Sequence, residues 1–248
     1  MTTRDCPTGL ERLPLRKTVL HPGTFRYSGI ELLAVLALLF LSAPFIEDLP
    51  NGDLIEAGLI SGVMVSSVLA VGGRRRALTI ALLLLAPALG GKWVNHFWPS
   101  TPSALVYLFA ATAFFVFVVS NLIRFILRAP QVDANVLCAG LSGYLLLGLL
   151  WAPAYMMISR LTPAAFNLSA APGGAPTLNG FDAFYFSFMT LCTVGYGDIT
   201  PVSKGARMLA VIEAITGLFY VAVLISRLVA IYSSSQPTAP PEDSGKGG

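Results

Sequence analysis

The sequence is poor in charge, and this scarcity limits what the protein can be. Only 12% of its 248 residues are charged, whereas a soluble domain carries about 25%. Hydrophobic residues make up 55% of the chain, and the mean hydropathy is +0.72. This composition excludes a soluble globular enzyme, a disordered chain and a nucleic-acid-binding protein, and it is typical of a membrane protein.

Cysteine and histidine are also scarce. Cys6, Cys138 and Cys192 lie far apart, so they indicate neither a disulfide framework nor a metal cluster. His21 and His96 have no nucleophile or metal ligand at motif spacing. We therefore expect no enzyme activity, no catalytic residues and no cofactor.

Six segments are apolar enough to cross a bilayer, which takes about 20 residues in a helix. They are 30–46, 54–73, 77–91, 104–123, 134–159 and 208–232. The third is the weakest, because it is short and contains Pro87. A further apolar stretch, 183–197, is too short to span and ends in a glycine-rich run. The sequence therefore predicts an all-α membrane protein with six transmembrane helices and one re-entrant segment.

The basic residues predict how these segments are oriented. If the first 29 residues are cytoplasmic, twelve of the 16 lysines and arginines lie on the cytoplasmic side and four lie outside. This asymmetry agrees with the positive-inside rule. We expect a multi-pass protein of the plasma membrane with both termini in the cytoplasm, and a re-entrant segment that enters from the outer face.

The re-entrant segment ends in a motif suited to binding a dehydrated cation. Its residues are Thr193, Val194, Gly195, Tyr196, Gly197 and Asp198. Successive backbone carbonyls on four facing strands can replace the water shell of a potassium ion. Gly195 and Gly197 permit the unusual dihedrals that aim consecutive carbonyls the same way, and Thr193 adds a hydroxyl oxygen. Four copies of Asp198 at the outer mouth would concentrate cations.

The residues before the motif predict a short helix over 181–192. Either Asn179 or Asp182 could cap its start. The negative end of its dipole would face the ion path. Three of its aromatic residues would form a cuff around the filter; they are Tyr185, Phe186 and Phe188.

The motif, in its helix–loop–helix setting, resembles the tetrameric potassium channels over about residues 134–232. The resemblance implies potassium ions bound by the carbonyls of Thr193, Val194, Gly195 and Tyr196. Because the chain holds one such motif, the resemblance implies a homotetramer among membrane lipids, without nucleic acid. Two alternatives are a weakly selective cation channel and a transporter or non-conducting protein that keeps the pore fold. Met189 stands where well-studied members have an acid, so hydrogen bonding behind the filter must differ.

The chain divides into four predicted parts. Residues 1–24 form a cytoplasmic segment, 25–128 a four-helix, voltage-sensor-like domain, 129–232 the pore domain, and 233–248 a disordered cytoplasmic tail. Within the pore domain, the Pro/Gly/Ala-rich stretch 162–180 predicts a mobile outer turret.

The fourth span lacks the repeated arginines of a working voltage sensor. Each gating charge yields only about 2.3 kcal/mol per 100 mV, so several are needed. Arg124 and Arg128 lie at its inner end, where the positive-inside rule already explains them. We expect weak or absent voltage dependence.

Two residues of the last span have open roles. Gly217 is either a gating hinge or a site of close helix packing. Glu213 is a deep acid that could sense protons, attract cations or make a structural hydrogen bond behind the filter.

Overall fold

The computed structural model describes residues 29–46, 52–71, 75–98, 101–129, 133–169 and 178–234. In this part of the chain there are seven helices and two short strands. The helices are α1 (Gly29–Ile46), α2 (Gly52–Val71), α3 (Arg75–Phe97), α4 (Thr101–Arg128), α5 (Ala134–Leu161), α6 (Gly180–Leu191) and α7 (Lys204–Ser234). The strands are β1 (Phe166–Leu168) and β2 (Ile199–Pro201). The predicted segment 1–24, the middle of the turret and nearly all of the tail lie outside the described residues.

Four of the described helices are long and apolar enough to cross a membrane. These spans are Arg76–Asn95, Pro102–Arg128, Ala134–Leu161 and Lys204–Ala230. α1 and α2 are apolar but shorter over their described residues, so six spans remain a prediction. The third span is longer than the sequence suggested, because α3 continues unbroken through Pro87 for 23 residues.

The first four helices pack on one another and on α5 of the same chain. α3 lies against α4, α4 lies against α5, and α1 contacts both α2 and α5. Their shared core contains fully buried side chains such as Leu36, Met64, Phe114 and Leu122. The predicted four-helix domain, 25–128, therefore rests directly on its own α5.

A short junction joins α4 to α5. The side chain of Asp133 caps α5 by accepting a hydrogen bond of 2.9 Å from the backbone N–H of Val136. The Arg227 guanidinium of α7 donates a 2.9 Å hydrogen bond to the carbonyl of Ala129. The end of α4, the start of α5 and the C-terminal part of α7 are thus held together.

Two short strands accompany the helices in a fold that is mainly helical, as predicted for a membrane protein. β1 pairs antiparallel with β2, with Phe166 opposite Pro201 and Leu168 opposite Ile199. β1 belongs to the stretch 162–180, which the sequence predicted to be a mobile turret. The described start of this stretch is tied to the segment after residues 193–198, because the backbone N–H of Val202 also donates to the carbonyl of Ala165, at 2.8 Å.

Candidate functional site

The site begins with the short helix α6, whose start is fixed by Asn179. The Asn179 side chain accepts a 2.6 Å hydrogen bond from the backbone N–H of Asp182, as an N-cap residue does. This geometry decides between the two predicted caps in favour of Asn179. The helix ends at Leu191, and Cys192 closes it with a hydrogen bond from its N–H to the carbonyl of Phe188.

The backbone after α6 alternates between left-handed residues, with positive φ, and residues with negative φ. Thr193, Gly195 and Gly197 have positive φ angles of 57°, 56° and 82°, whereas Val194 and Tyr196 between them do not. In an ordinary strand, successive carbonyls point to opposite sides. A backbone of alternating hand can instead aim them to one side. Glycine takes this conformation at little cost, but Thr193 is held there against its preference.

The N–H groups of this segment turn back towards α6. Thr193 N–H donates to Thr190 at 3.0 Å, and the N–H groups of Val194 and Gly195 donate to the Met189 carbonyl at 2.9 and 3.2 Å. Among the hydrogen bonds of the described residues, none is accepted by the carbonyls of Thr193, Val194, Gly195 or Tyr196. The predicted ion ligands are therefore among the acceptors that this segment leaves free.

Two side chains of the segment are largely exposed in the single chain. Val194 is 48% exposed and Tyr196 is 73% exposed. Much of the surface of both residues is therefore not covered by the described residues of the same chain.

Asp198 is the last residue of the motif and is held by hydrogen bonds to nearby backbone groups. Its carboxylate accepts a 3.0 Å hydrogen bond from the N–H of Ile199, and its carbonyl accepts one of 2.9 Å from the N–H of Ser169. Hydrogen bonding from the Tyr185 hydroxyl lowers the pKa of the Asp198 carboxyl. The ionised form is therefore favoured at the mouth of the site.

The predicted aromatic cuff is split between two other clusters. Phe186 packs edge-on against Tyr155 and Phe166, at ring distances of 4.8 and 5.4 Å. Phe188 packs against Phe40 of α1 at 4.8 Å. Of the three predicted cuff residues, Tyr185 is the one that interacts with the motif, through Asp198.

Gly217 lies where α7 passes the end of α6. A Cβ at this position would lie 2.8 Å from the Leu191 carbonyl oxygen and 2.7 Å from Leu191 Cδ1. Such distances are too short for real carbon contacts, so glycine is needed for the close approach of the two helices. This observation favours the packing role, although it does not test bending.

Glu213 lies behind the motif, fully buried in a cluster of hydrogen bonds. It accepts from the Tyr155 hydroxyl of α5 and lies 2.5 Å from Ser187 Oγ of α6. Neither Ser187 nor Tyr155 was predicted from the sequence as part of the site. A lone serine on the buried, aromatic face of α6 is a signal that could have identified Ser187. No group of three metal-ligating side chains occurs among the residues that the structure describes.

Comparison with known proteins identifies the same region. A family model described as "Ion channel" matches residues 142–234. The chain is 35% identical over 77 residues to two pore potassium channel c of Oryza sativa subsp. japonica, which covers 31% of this chain and 17% of that protein. It is 38% identical over 87 residues to protein LctB of Bacillus caldotenax, which covers 35% of this chain and 64% of that protein. No solved structure matches.

The matches define the class of the protein. Together with the four long apolar helices, they show a membrane protein with an ion channel domain rather than an enzyme, and they support a potassium channel family. The chain spans less than two thirds of the length of these relatives.

Proposed function

We propose that the chain conducts potassium ions passively and selectively through a homotetrameric pore. The ion ligands are the carbonyl oxygens of Thr193, Val194, Gly195 and Tyr196, and Gly197 lets the chain leave the filter towards Asp198. The observation that carries the proposal is the alternating hand of this backbone, whose positive φ angles fall at three alternate residues. It supports a row of carbonyls with one orientation, which a potassium filter requires.

The tetramer follows from the same requirement. One chain has one filter motif, and a ring of oxygens around an ion takes four such strands. The exposed Val194 and Tyr196 side chains support this assembly, because neighbouring copies would cover them. The proposed tetramer lies among the lipids of the plasma membrane, with six spans per chain and both termini in the cytoplasm.

Flux through liposomes tests the proposal. We expect the purified protein to pass potassium much faster than sodium. In Gly195→Ala, the new side chain meets no atom within 4 Å but must adopt a φ of +56°, which costs roughly 1–2 kcal/mol. We expect this variant to lose potassium selectivity. Gly90→Ala also meets no atom, and its helical backbone does not require a positive φ, so it is the matched control and keeps wild-type flux.

Each alternative gives a different result in this experiment. Equal potassium and sodium fluxes would indicate a weakly selective cation channel. A folded protein without flux would indicate a non-conducting protein or a transporter that needs a further substrate. The mass of the particle provides an independent test, since we expect four chains of 26.3 kDa, and a monomer or dimer contradicts the proposal.

A further inference from the structure

A chain of hydrogen bonds joins α5, α6 and α7 behind the proposed filter. The Tyr155 hydroxyl donates to Glu213 Oε2. Ser187 Oγ lies 2.5 Å from Glu213 Oε1 and 2.8 Å from the carbonyl oxygen of Gly148. The side chains of Tyr155, Ser187 and Glu213 are all fully buried. The three helices α5, α6 and α7 therefore meet at one polar cluster in an apolar interior.

The number of protons in this cluster determines the state of Glu213. A backbone carbonyl and an ionised carboxylate are acceptors only, and each hydroxyl has a single proton to donate. Three hydrogen bonds are present, but Tyr155 and Ser187 supply two protons between them. For each of the three bonds to have a proton of its own, the third proton comes from the carboxyl group itself. It then lies on Glu213 Oε1 and is donated to Ser187 Oγ, whose own proton goes to Gly148.

The surroundings of Glu213 favour the same state. Among the described residues, no basic side chain lies within ion-pair distance of its carboxyl group. The titratable groups that face it are Tyr155 and, further away, Tyr144, both on α5. α6 presents Ser187, which is neutral, and α7 adds no other titratable group in contact with it. An unpaired carboxylate in an apolar interior is costly, whereas the neutral acid is not.

We propose that Glu213 is held as a neutral carboxylic acid and that its proton fixes α6 against α5. Glu213 and Ser187 are then positioning residues for the proposed filter. When the proton leaves Oε1 for water, Ser187 turns its hydroxyl towards the carboxylate and gives up its bond to Gly148. α5 and α6 pack tightly at this point, because a Cβ at Gly148 would lie 2.2 Å from the Phe188 ring. The position of α6, and of the filter that follows it, therefore depends on this proton.

Infrared spectroscopy tests the neutral acid without any measurement of flux. We expect the protein at neutral pH to show the C=O stretch of a protonated carboxyl group, and labelling with ¹³C-glutamate should shift this band. Glu213→Gln should remove the band. Ser187→Ala deletes the acceptor at Oε1 and should move its frequency, which keeps the test decisive if Glu213→Gln fails to fold. A missing band, or one that neither variant alters, would overturn the proposal.

The dependence of potassium flux on alkaline pH tests the positioning role, and this measurement rests on the proposed function. Loss of one buried hydrogen bond is worth about 1 kcal/mol, so we expect wild-type flux to fall about fivefold as Glu213 ionises. Glu213→Gln keeps a donor towards Ser187 and an acceptor for Tyr155, and its flux should not respond to alkali. The same alkaline loss in both proteins would overturn the positioning role. Absence of flux in every variant would instead count against the proposed function, while the infrared result still decides the state of Glu213.

Discussion

At the scale of single residues, a substitution at Gly217 can distinguish a role in helix packing from a role as a gating hinge. In Gly217→Ala, the new methyl group would meet the Leu191 backbone at 2.8 Å, and forcing it in costs about 1–3 kcal/mol. We therefore expect a lower thermal unfolding temperature of the purified protein. Gly62→Ala is the control, since its methyl group meets nothing within 4 Å and should stabilise α2 by about 0.5–1 kcal/mol. Unchanged stability with altered gating in Gly217→Ala would favour the hinge.

Asp198 gives a prediction about acidic pH. Hydrogen bonding from Tyr185 lowers the pKa of the Asp198 carboxyl, so its charge persists above that lowered value and is lost only as the pH falls through it. We expect potassium conductance at low salt to decline at a pH below the usual range for aspartate. Tyr185→Phe removes the hydrogen bond, and the decline should then begin at a higher pH.

A comparison at high salt controls for other effects of acid on the protein. Salt screens the mouth charge, since the Debye length is about 10 Å at 0.1 M. The decline in conductance should therefore shrink as the salt concentration rises. An acid response that is identical in Asp198→Asn would show that another group is responsible.

The unusual backbone torsion angles of the two glycines could be predicted from the sequence, but the side-chain contacts of Glu213 could not. Gly195 and Gly197 were expected to take unusual torsions because glycine alone does so cheaply, and both have positive φ. The positive φ of Thr193 was not expected, since nothing in a threonine side chain favours it. The partners of Glu213 lie 26 and 58 residues away in the chain. A contact at that separation depends on how helices dock, which local patterns do not report.

At the scale of elements, the strand pair β1–β2 joins the start of the stretch 162–180 to the segment that follows the motif. Phe166 is its apolar anchor, because its ring packs edge-on against Tyr155 and Phe186. We expect Phe166→Ala to destabilise the protein by about 3 kcal/mol, as measured by the thermal unfolding temperature. Asn167→Ala alters the exposed neighbour in the same strand and should change stability by less than about 0.5 kcal/mol. Equal effects of the two variants would show that Phe166 is not the anchor.

The elements differ in how well the sequence predicts them. The pore helix was expected over 181–192 and extends from Gly180 to Leu191, because an apolar run bounded by a capping asparagine is a local signal. The strands were missed, since three residues each are too few for an alternating pattern to appear. Pro87 was expected to interrupt the third span, yet α3 continues through it.

At the scale of the whole molecule, the first four helices are expected to respond little to voltage. Arg124 and Arg128 are exposed near the end of α4, and the rest of that helix contains no basic residue. We expect the double variant Arg124→Gln/Arg128→Gln to have the same slope of conductance against voltage as the wild type in planar bilayers. A steep wild-type curve that becomes shallow in the variant would contradict this prediction.

The membrane class of the whole molecule follows from its composition, but the contact between its two parts does not. Phe40 of α1 packs against Phe184 and Phe188 of the pore helix, with ring centres 5.0 and 4.8 Å apart. Glu56 of α2, paired with Lys92 at 3.2 Å, lies beside Gly180 at the start of the same helix. The voltage-sensor-like helices were predicted as a separate domain. Their contact with the pore helix arises from tertiary packing, for which the sequence shows no periodic signal.

The alternating hand of the filter backbone also affects which mutations this segment can accept. Every amino acid carries the same backbone carbonyl oxygen, so a codon change at residues 194–197 cannot replace a proposed ion ligand directly. It acts through the torsion angle that aims the oxygen, and at Gly195 and Gly197 any L-residue other than glycine is strained. Saturation mutagenesis should therefore show that positions 195 and 197 accept only glycine, although neither residue has a side chain that could contact the proposed ion.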